Sequence, residues 1–335
     1  MSDATPRRRL ILRWVSFAVS LAIVVTAGFL VPMPLVQTSL GSATTVNPLL
    51  SVEGETTALT GDFDLLTVRV GQPSLFETIR AALDDDRRLE ARNAVIPASI
   101  DRRRYFELQD AEFRRSFDVA AAVALQTAGL PVQITTRAEV VNVLPGSPAD
   151  GNLELGDRFL TVLGQPVATH EEVVALTKDA VEGQALSMQV ERNGDVVDVE
   201  VVAGEVPGLD RPGMGITLQT LETDIVLPLD VALVDQRGIG GPSAGMMVAL
   251  TIYDLVADED LAAGRRIAGT GTLDGDGTVG PIGSVREKTL TAIAAGAEVL
   301  LVPASQEAAA RSAAAGRLEV IGVTSLLDAI EALRP

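Results

Sequence analysis

The stretch RGIGGPSAGMMVAL, Arg237 to Leu250, sets one serine, Ser243, among Gly238, Gly240, Gly241 and Gly245 and then runs directly into apolar residues. Serine at a helix start is a favoured N-cap. A cap does not require glycines on both sides. Glycine admits backbone angles and close approaches that other residues cannot reach. The same geometry suits a nucleophile, because amides at a helix start are preorganised donors for an oxyanion. Taken alone, the loop formed by Gly240, Gly241, Ser243 and Ala244 leaves both readings open.

A nucleophilic serine needs a base. Only two of the 27 Lys and Arg residues are lysines, Lys178 and Lys288, and the single histidine is His170. His170 opens a candidate helix far from the serine and reads as a surface or groove residue. In GPIGSVREKTLTAIAAGAE, Ser284 and Glu287 fit a capping box that starts a helix at Val285. Val285, Lys288, Ala292 and Ala295 then share one face, on which Lys288 is the only charge. Burial and the first-turn position both disfavour the ammonium, so both lower its pKa. Arginine stays protonated and cannot be a base. A lysine snorkelling to the surface is the alternative. The pair proposes a Ser–Lys dyad: Ser243 attacks, and neutral Lys288 takes its proton and returns it to a leaving amine.

Composition removes other chemistries. The 335 residues include no cysteine, which excludes disulfides, thiol catalysis and zinc–thiolate sites. Net charge is −18; the first 13 residues carry +3, so the remainder carries −21. A body that acidic argues against nucleic acid. Neither lysine follows a glycine, so no P-loop is encoded. GIGGPS fails the dinucleotide pattern at Ser243, and GTGTLD fails it at Asp274. DGDGT, Asp274–Thr278, lacks the EF-hand acids at Thr278 and Val285 and reads as a hairpin turn. Neither cofactor nor metal is expected.

Trp14–Val31 is an uncharged run of 18 residues behind four arginines. It reads as a membrane-spanning helix with 1–13 cytoplasmic and the body outside. A cleaved signal peptide is the rival, with Gly41–Ala43 as its candidate site. Residues 48–72 read as short strands, Ser74 and Glu77 cap a helix to about Leu89, and a second helix covers Glu107–Ala128. From Met214, strands and helices alternate as in an α/β domain. Residues 131–204 are β-rich, with a hairpin at Asn193-Gly194.

Gly146-Ser147-Pro148-Ala149, Leu155-Gly156-Asp157, Gly164 and the closing hairpin resemble a bacterial PDZ domain. The resemblance implies a groove that takes a peptide as an added strand, with a carboxylate-binding loop near Thr135–Glu139. GGPSAG followed by GPIGSVREK resembles the proteolytic domain of the Lon family (S16) over 214–335. That resemblance implies Ser243 as nucleophile, Lys288 as general base, and Thr270 supporting the lysine. It also implies a homo-oligomeric ring. Gly240 stands where many members have aspartate, and Thr272 where an acidic residue follows Thr-Gly. Anchor, PDZ and peptidase in this order resemble the YlbL-like membrane-anchored proteins.

The expected architecture is therefore an α/β (α+β) Lon-type domain at 205–335, a PDZ domain at 131–204 and a transmembrane helix at 14–31. Strands in 32–130 would complete the peptidase sheet. The expected function is an ATP-independent, membrane-anchored serine endopeptidase acting on extracytoplasmic or membrane-adjacent polypeptides. A catalytically silent PDZ scaffold that binds peptides is the alternative.

Overall fold

The computed structural model describes residues 6–54, 56–84, 86–96, 102–209, 211–235, 239–257 and 259–334. The first five residues of the basic segment lie outside the described residues, as do Arg237 and Gly238 of the serine stretch. The chain divides into two units: Met1–Gly129 together with Leu229–Pro335, and Leu130–Pro228.

The first unit begins with α1 (Pro6–Leu30), β1 (Leu35–Thr45), β2 (Leu50–Val52), β3 (Asp62–Gly71), α2 (Leu75–Ala81), β4 (Arg87–Ala91), α3 (Arg92–Val95) and α4 (Arg102–Thr127). Two expectations change here. The helix after Ser74 keeps its capping box with Glu77 but ends at Ala81. Arg87–Leu89, expected at the end of that helix, belong instead to Arg87–Ala91, which pairs with β1 as an edge strand. Residues 35–45, with few large apolar side chains, form a strand that the pattern did not announce.

The second unit contains β5 (Gln133–Val143), β6 (Arg158–Val162), β7 (Gln165–Pro166), α5 (His170–Thr177), β8 (Ala185–Arg192), β9 (Asp195–Val202) and β10 (Ile216–Val226). Its sheet runs β10-β5-β6-β8-β9, with β7 added to β6. Asn193 and Gly194 both have positive φ, as the tight β8–β9 turn requires. Asp157 is fully buried and takes two hydrogen bonds from Arg192, at 2.7 and 2.6 Å, which fixes the Leu-Gly-Asp turn to β8. Two corrections fall in this unit. Ile216–Val226 was expected in the peptidase domain, but it pairs with β5 along its length. Thr135–Glu139 was expected as a carboxylate loop, but it lies inside β5, with every residue registered against β10.

The chain returns to the first unit with β11 (Val231–Leu233), α6 (Gly245–Val256), β12 (Arg266–Gly269), β13 (Thr272–Leu273), β14 (Val279–Gly280), α7 (Val285–Ala294), β15 (Val299–Pro303), α8 (Glu307–Ala314), β16 (Glu319–Val323) and α9 (Leu326–Leu333). The Asp274–Thr278 turn joins β13 to β14 as a hairpin. One six-stranded sheet, ordered β16-β15-β12-β3-β1-β4, joins both halves of the unit. β3, β12, β15 and β16 run parallel, and β1 is antiparallel to β3. All five residues of β15 are buried, as expected for a parallel strand covered on both faces. Leu300 and Val302 pack with Ala292 of α7 and Ala310 of α8, while alternation sends Leu301 to the opposite face. There an added Cβ on Gly269 would stand 2.3 Å from Met247 of α6, so helix and strand meet at glycine distance.

Buried Asp64 of β3 accepts from Thr45 of β1 at 2.9 Å and from Arg266 of β12 at 2.6 Å. It ties three strands together from sequence positions about 200 apart. A truncation beginning at Gly129 removes β1, β3 and α4, which strips β12 of its neighbour and exposes the packing face of α6. Hydrogen exchange on that truncation should show no slow amides across residues 239–334, with protection confined to 130–228. Native-like protection of β12 and β15 would contradict this.

Candidate active site

Ser243 sits in a single 3-10 turn, Pro242–Ala244, that leads directly into α6. Every residue from Gly245 to Asp254 is buried, so the turn is anchored to a fully packed helix. Gly241 enters the turn with φ +79°, a left-handed value that strains any L residue. Its amide donates to the Gln109 carbonyl of α4 at 2.8 Å. The Gly245 amide bonds the Pro242 carbonyl, so the amides of Ser243 and Ala244 precede the first bond of the turn. Two adjacent amides at the start of a helix can serve as oxyanion donors. Gly240 places its Cα side against Gln109 and Asp110 of the same helix.

The loop carbonyls are clamped from two directions. Ser116 Oγ on α4 donates to the Pro242 carbonyl at 3.0 Å. An added Cβ on Gly245 would come within 2.7 Å of that hydroxyl, so glycine is required by space. The Ser243 carbonyl accepts from the Gly271 amide at 2.9 Å and from Thr270 Oγ1 at 3.0 Å. Ser116 and Gln109 escaped the sequence reading because nothing local marks them. They lie on a helix more than 120 residues upstream, and only the fold brings them to the serine.

Lys288 is 4% exposed and projects from α7. Its Nζ lies 2.6 Å from Ser243 Oγ and 2.9 Å from Thr270 Oγ1. The structure thus brings Ser243, Lys288 and Thr270 together. Thr270 donates its proton to the Ser243 carbonyl and accepts from Nζ, which fixes the direction of the whole chain of bonds. Burial pushes the Lys288 ammonium down to about 7. The expected Ser284–Glu287 capping box is absent. Ser284 is left-handed at φ 58° and makes no side-chain cap. Glu287 turns inward instead, is 3% exposed, and its Oε2 has no hydrogen-bond partner. The helix still starts at Val285, so Lys288 keeps its first-turn position.

In the second unit, a cavity of about 280 Å³ lies between α5 and the start of β10, lined by His170, Val173, Val174, Met214, Gly215 and Leu218 among others. The loop that enters β10 is Gly213–Gly215, and its three carbonyls accept from Gly204, Ala149 and Leu144. The groove is therefore bounded by this loop, not by β5. Thr220 Oγ1 accepts from the His170 amide at 2.9 Å and shares a 2.7 Å hydrogen bond with His170 Nδ1. His170 thus lines the groove.

Residues 114–202 match the PDZ domain family, and residues 238–330 match the Lon protease (S16) C-terminal proteolytic domain. The chain thus pairs a region similar to PDZ domains with a region similar to the Lon-type proteolytic domain. It is 38% identical over 64 residues (19% of the chain) to "Pro-apoptotic serine protease NMA111" of Meyerozyma guilliermondii, covering 6% of that protein. It is 32% identical over 91 residues (27% of the chain) to "Zinc metalloprotease RasP" of Oceanobacillus iheyensis, covering 20% of it. It is 37% identical over 73 residues (22% of the chain) to "Probable periplasmic serine endoprotease DegP-like" of Hahella chejuensis, covering 16% of it. The chain thus spans at most about a fifth of these relatives' length. The PDZ domain of an SdrC-like protein from Listeria innocua aligns at 20% identity and TM-score 0.23, over 24% of this chain and 92% of that one. A solution structure from Geobacillus thermodenitrificans aligns at 32% identity and TM-score 0.21, over 24% and 92%.

A lysine held near 7 when folded and at 10.5 when free penalises the folded state. The penalty is complete below about pH 7 and fades as pH rises toward 10.5, where both states lose the proton. Each pKa unit is worth about 1.4 kcal/mol. Lys288→Met should therefore stabilise the protein by a few kcal/mol at pH 6 and by much less at pH 10, read from denaturant midpoints. An equal effect at both pH values would contradict this.

Proposed function

We propose that the chain is an ATP-independent serine endopeptidase whose reacting pair is Ser243 and Lys288. The 2.6 Å approach of a buried amine to the serine hydroxyl carries this reading. Neutral Nζ accepts the Ser243 proton as Oγ attacks the substrate carbonyl. The amides of Ser243 and Ala244 take the charge that develops on the carbonyl oxygen. The ammonium then protonates the leaving amine as the C–N bond breaks. Water then gives a proton to Nζ as its oxygen attacks the acyl carbon, and the ammonium returns that proton to Oγ as the acyl–Oγ bond breaks and the carboxylic acid leaves. Thr270 and Ser116 hold the amine and the turn in place and are positioning residues.

The peptidase domain is discontinuous in this reading. Residues 32–129 supply β1–β4 and α2–α4, residues 229–335 supply the remaining strands and helices, and the PDZ domain is inserted between them. Pairing of β3 with β12 and the α4 clamp on the serine turn support it. The PDZ groove presents polypeptide, with the Met214 and Gly215 amides as the carboxylate-holding donors, since the Gly213 amide already donates to the Gly204 carbonyl.

One N-terminal helix anchors the chain. Arg13–Leu30 is apolar and its side chains are exposed along nearly its whole length, so it is not a core helix of this unit. At 1.5 Å per residue it is about 27 Å long, close to a bilayer core of about 30 Å. Arginines at its start favour an N-terminus in the cytoplasm with the body outside. Gly41–Ala43, the candidate cleavage site, is built into β1, and Gly41 packs against Thr67 of β3.

The soluble part, residues 32–335, should cleave an unfolded protein without nucleotide. Ser243→Ala should abolish cleavage, and Lys288→Arg should lower it at least about 100-fold, the size of a general-base contribution. Turnover should rise with pH around a midpoint near 7, the value set by burial of Lys288. Full activity in the arginine variant, or a midpoint near 10, would remove lysine as the base. Ser116→Ala should lower kcat about tenfold with KM little changed, since it loosens the turn and not the substrate contacts. A pure KM effect would contradict that role.

A further inference from the structure

The structure leaves one apolar face unexplained by catalysis. On α2 and the turn after it, Leu75, Phe76, Ile79 and Leu83 are 41, 36, 50 and 85% exposed. Their spacing puts them on one side, while Ser74 and Ala81 are buried against the unit. This face is joined to the outer end of α1. The Phe76 and Phe29 rings pack at a tilt of 41°, with centroids 4.5 Å apart. An added Cβ on Gly28 would strike the Phe76 ring at 2.4 Å, so the helices meet at glycine distance. The Met33 amide donates to the Pro73 carbonyl at 2.8 Å, and Gln72 Nε2 donates to the Met33 carbonyl at 2.9 Å. Pro32 and Ser74 form a bridge. The exposed residues Phe29, Leu30 and Val31 at the end of α1 thus continue into those of α2.

We infer that the apolar side of Leu75–Leu83 lies in the boundary between headgroups and acyl chains of the leaflet from which α1 emerges. The inference rests on the anchor reading above. Continuity with the span selects lipid as the occupant: whatever solvates Phe29 and Leu30 also reaches Leu75 and Ile79. The attraction is apolar and not electrostatic. The segment carries Glu77 and the run Asp84–Asp86 against Arg80, so it has no surplus of positive charge for anionic lipid. The acidic run directly after Leu83 limits the depth, as in helices that rest about 5–10 Å into the interface. The peptidase unit would then be fixed on the membrane by two contacts, the span and this face.

The chain has no cysteine, so single cysteines can carry spin labels without further changes. Full-length protein in phosphatidylcholine vesicles would be labelled at Ile79→Cys or Leu83→Cys. Ile23→Cys in the span and Val196→Cys on the exposed face of the second unit serve as references. Collision with oxygen, which concentrates in lipid, is compared with collision with a water-soluble nickel chelate. The expected result is an oxygen-to-nickel ratio at 79 and 83 several-fold above that at 196 and below that at 23, unchanged by salt. Nickel access at 79 and 83 equal to that at 196, with 23 shielded, would overturn this inference and leave the anchor standing. Nickel access at 23 would overturn both. Exclusion of both reagents at 79 and 83 would assign the face to another protein surface instead.

Discussion

An ammonium buried without a counter-ion is the constraint around which the first unit is arranged. Among the described residues, no carboxylate comes within ion-pair distance of Lys288 Nζ; its hydrogen-bond partners are two hydroxyls. Hydroxyls solvate an amine without stabilising its charge as a carboxylate would. Desolvation therefore wins, and the neutral form becomes accessible near neutral pH. A nearby Asp or Glu would reverse the sign by holding the proton on. The adjacent Glu287 is buried as well, yet forms no bond to Nζ.

The hydroxyls must themselves be held. Thr270 sits at the end of β12, and its amide bonds the Leu301 carbonyl of β15, so the central sheet fixes it. Ser243 is fixed by α6 below and α4 beside it. Lys288 comes from the helix layer that packs under Leu300 and Val302. The three side chains of the proposed site therefore arrive from different elements of the first unit. This arrangement explains why the strand order needs β3 and β1. They complete the sheet beside β12 with residues that precede the PDZ domain in the chain.

Much of the site was legible in the sequence, because the relevant chemistry is local. Glycines around Ser243 mark a strained turn, and a lone lysine on the Val285–Ala295 face marks a buried cation. The elements from Val285 onward follow apolar periodicity, and their alternation is plain. The illegible parts are long-range. Ile216–Val226 alternates as any half-buried strand does, and nothing in it says whether its partner is β5 or a peptidase strand. Leu35–Thr45 holds large apolar residues only at Leu35, Val36 and Leu40, so it lacks the run of apolar residues that signals a strand. Ser284 looked like a cap by residue type, but the chain passes it in the left-handed region and Glu287 is drawn inward. The Thr135–Glu139 assignment failed because loop order in this PDZ unit is set by where β10 returns, 80 residues later.

The central claim concerns one proton, and the chain offers a direct way to observe it. Its two lysines give only two side-chain amine signals in protein labelled with ¹⁵N- and ¹³C-lysine, and Lys288→Met assigns them. Titrating the Lys288 signal by NMR should give a midpoint within about one unit of 7 in the folded protein, and about 10.4 once it is unfolded. A folded midpoint near 10 would mean that the amine keeps its proton at working pH, and Lys288 could not activate Ser243.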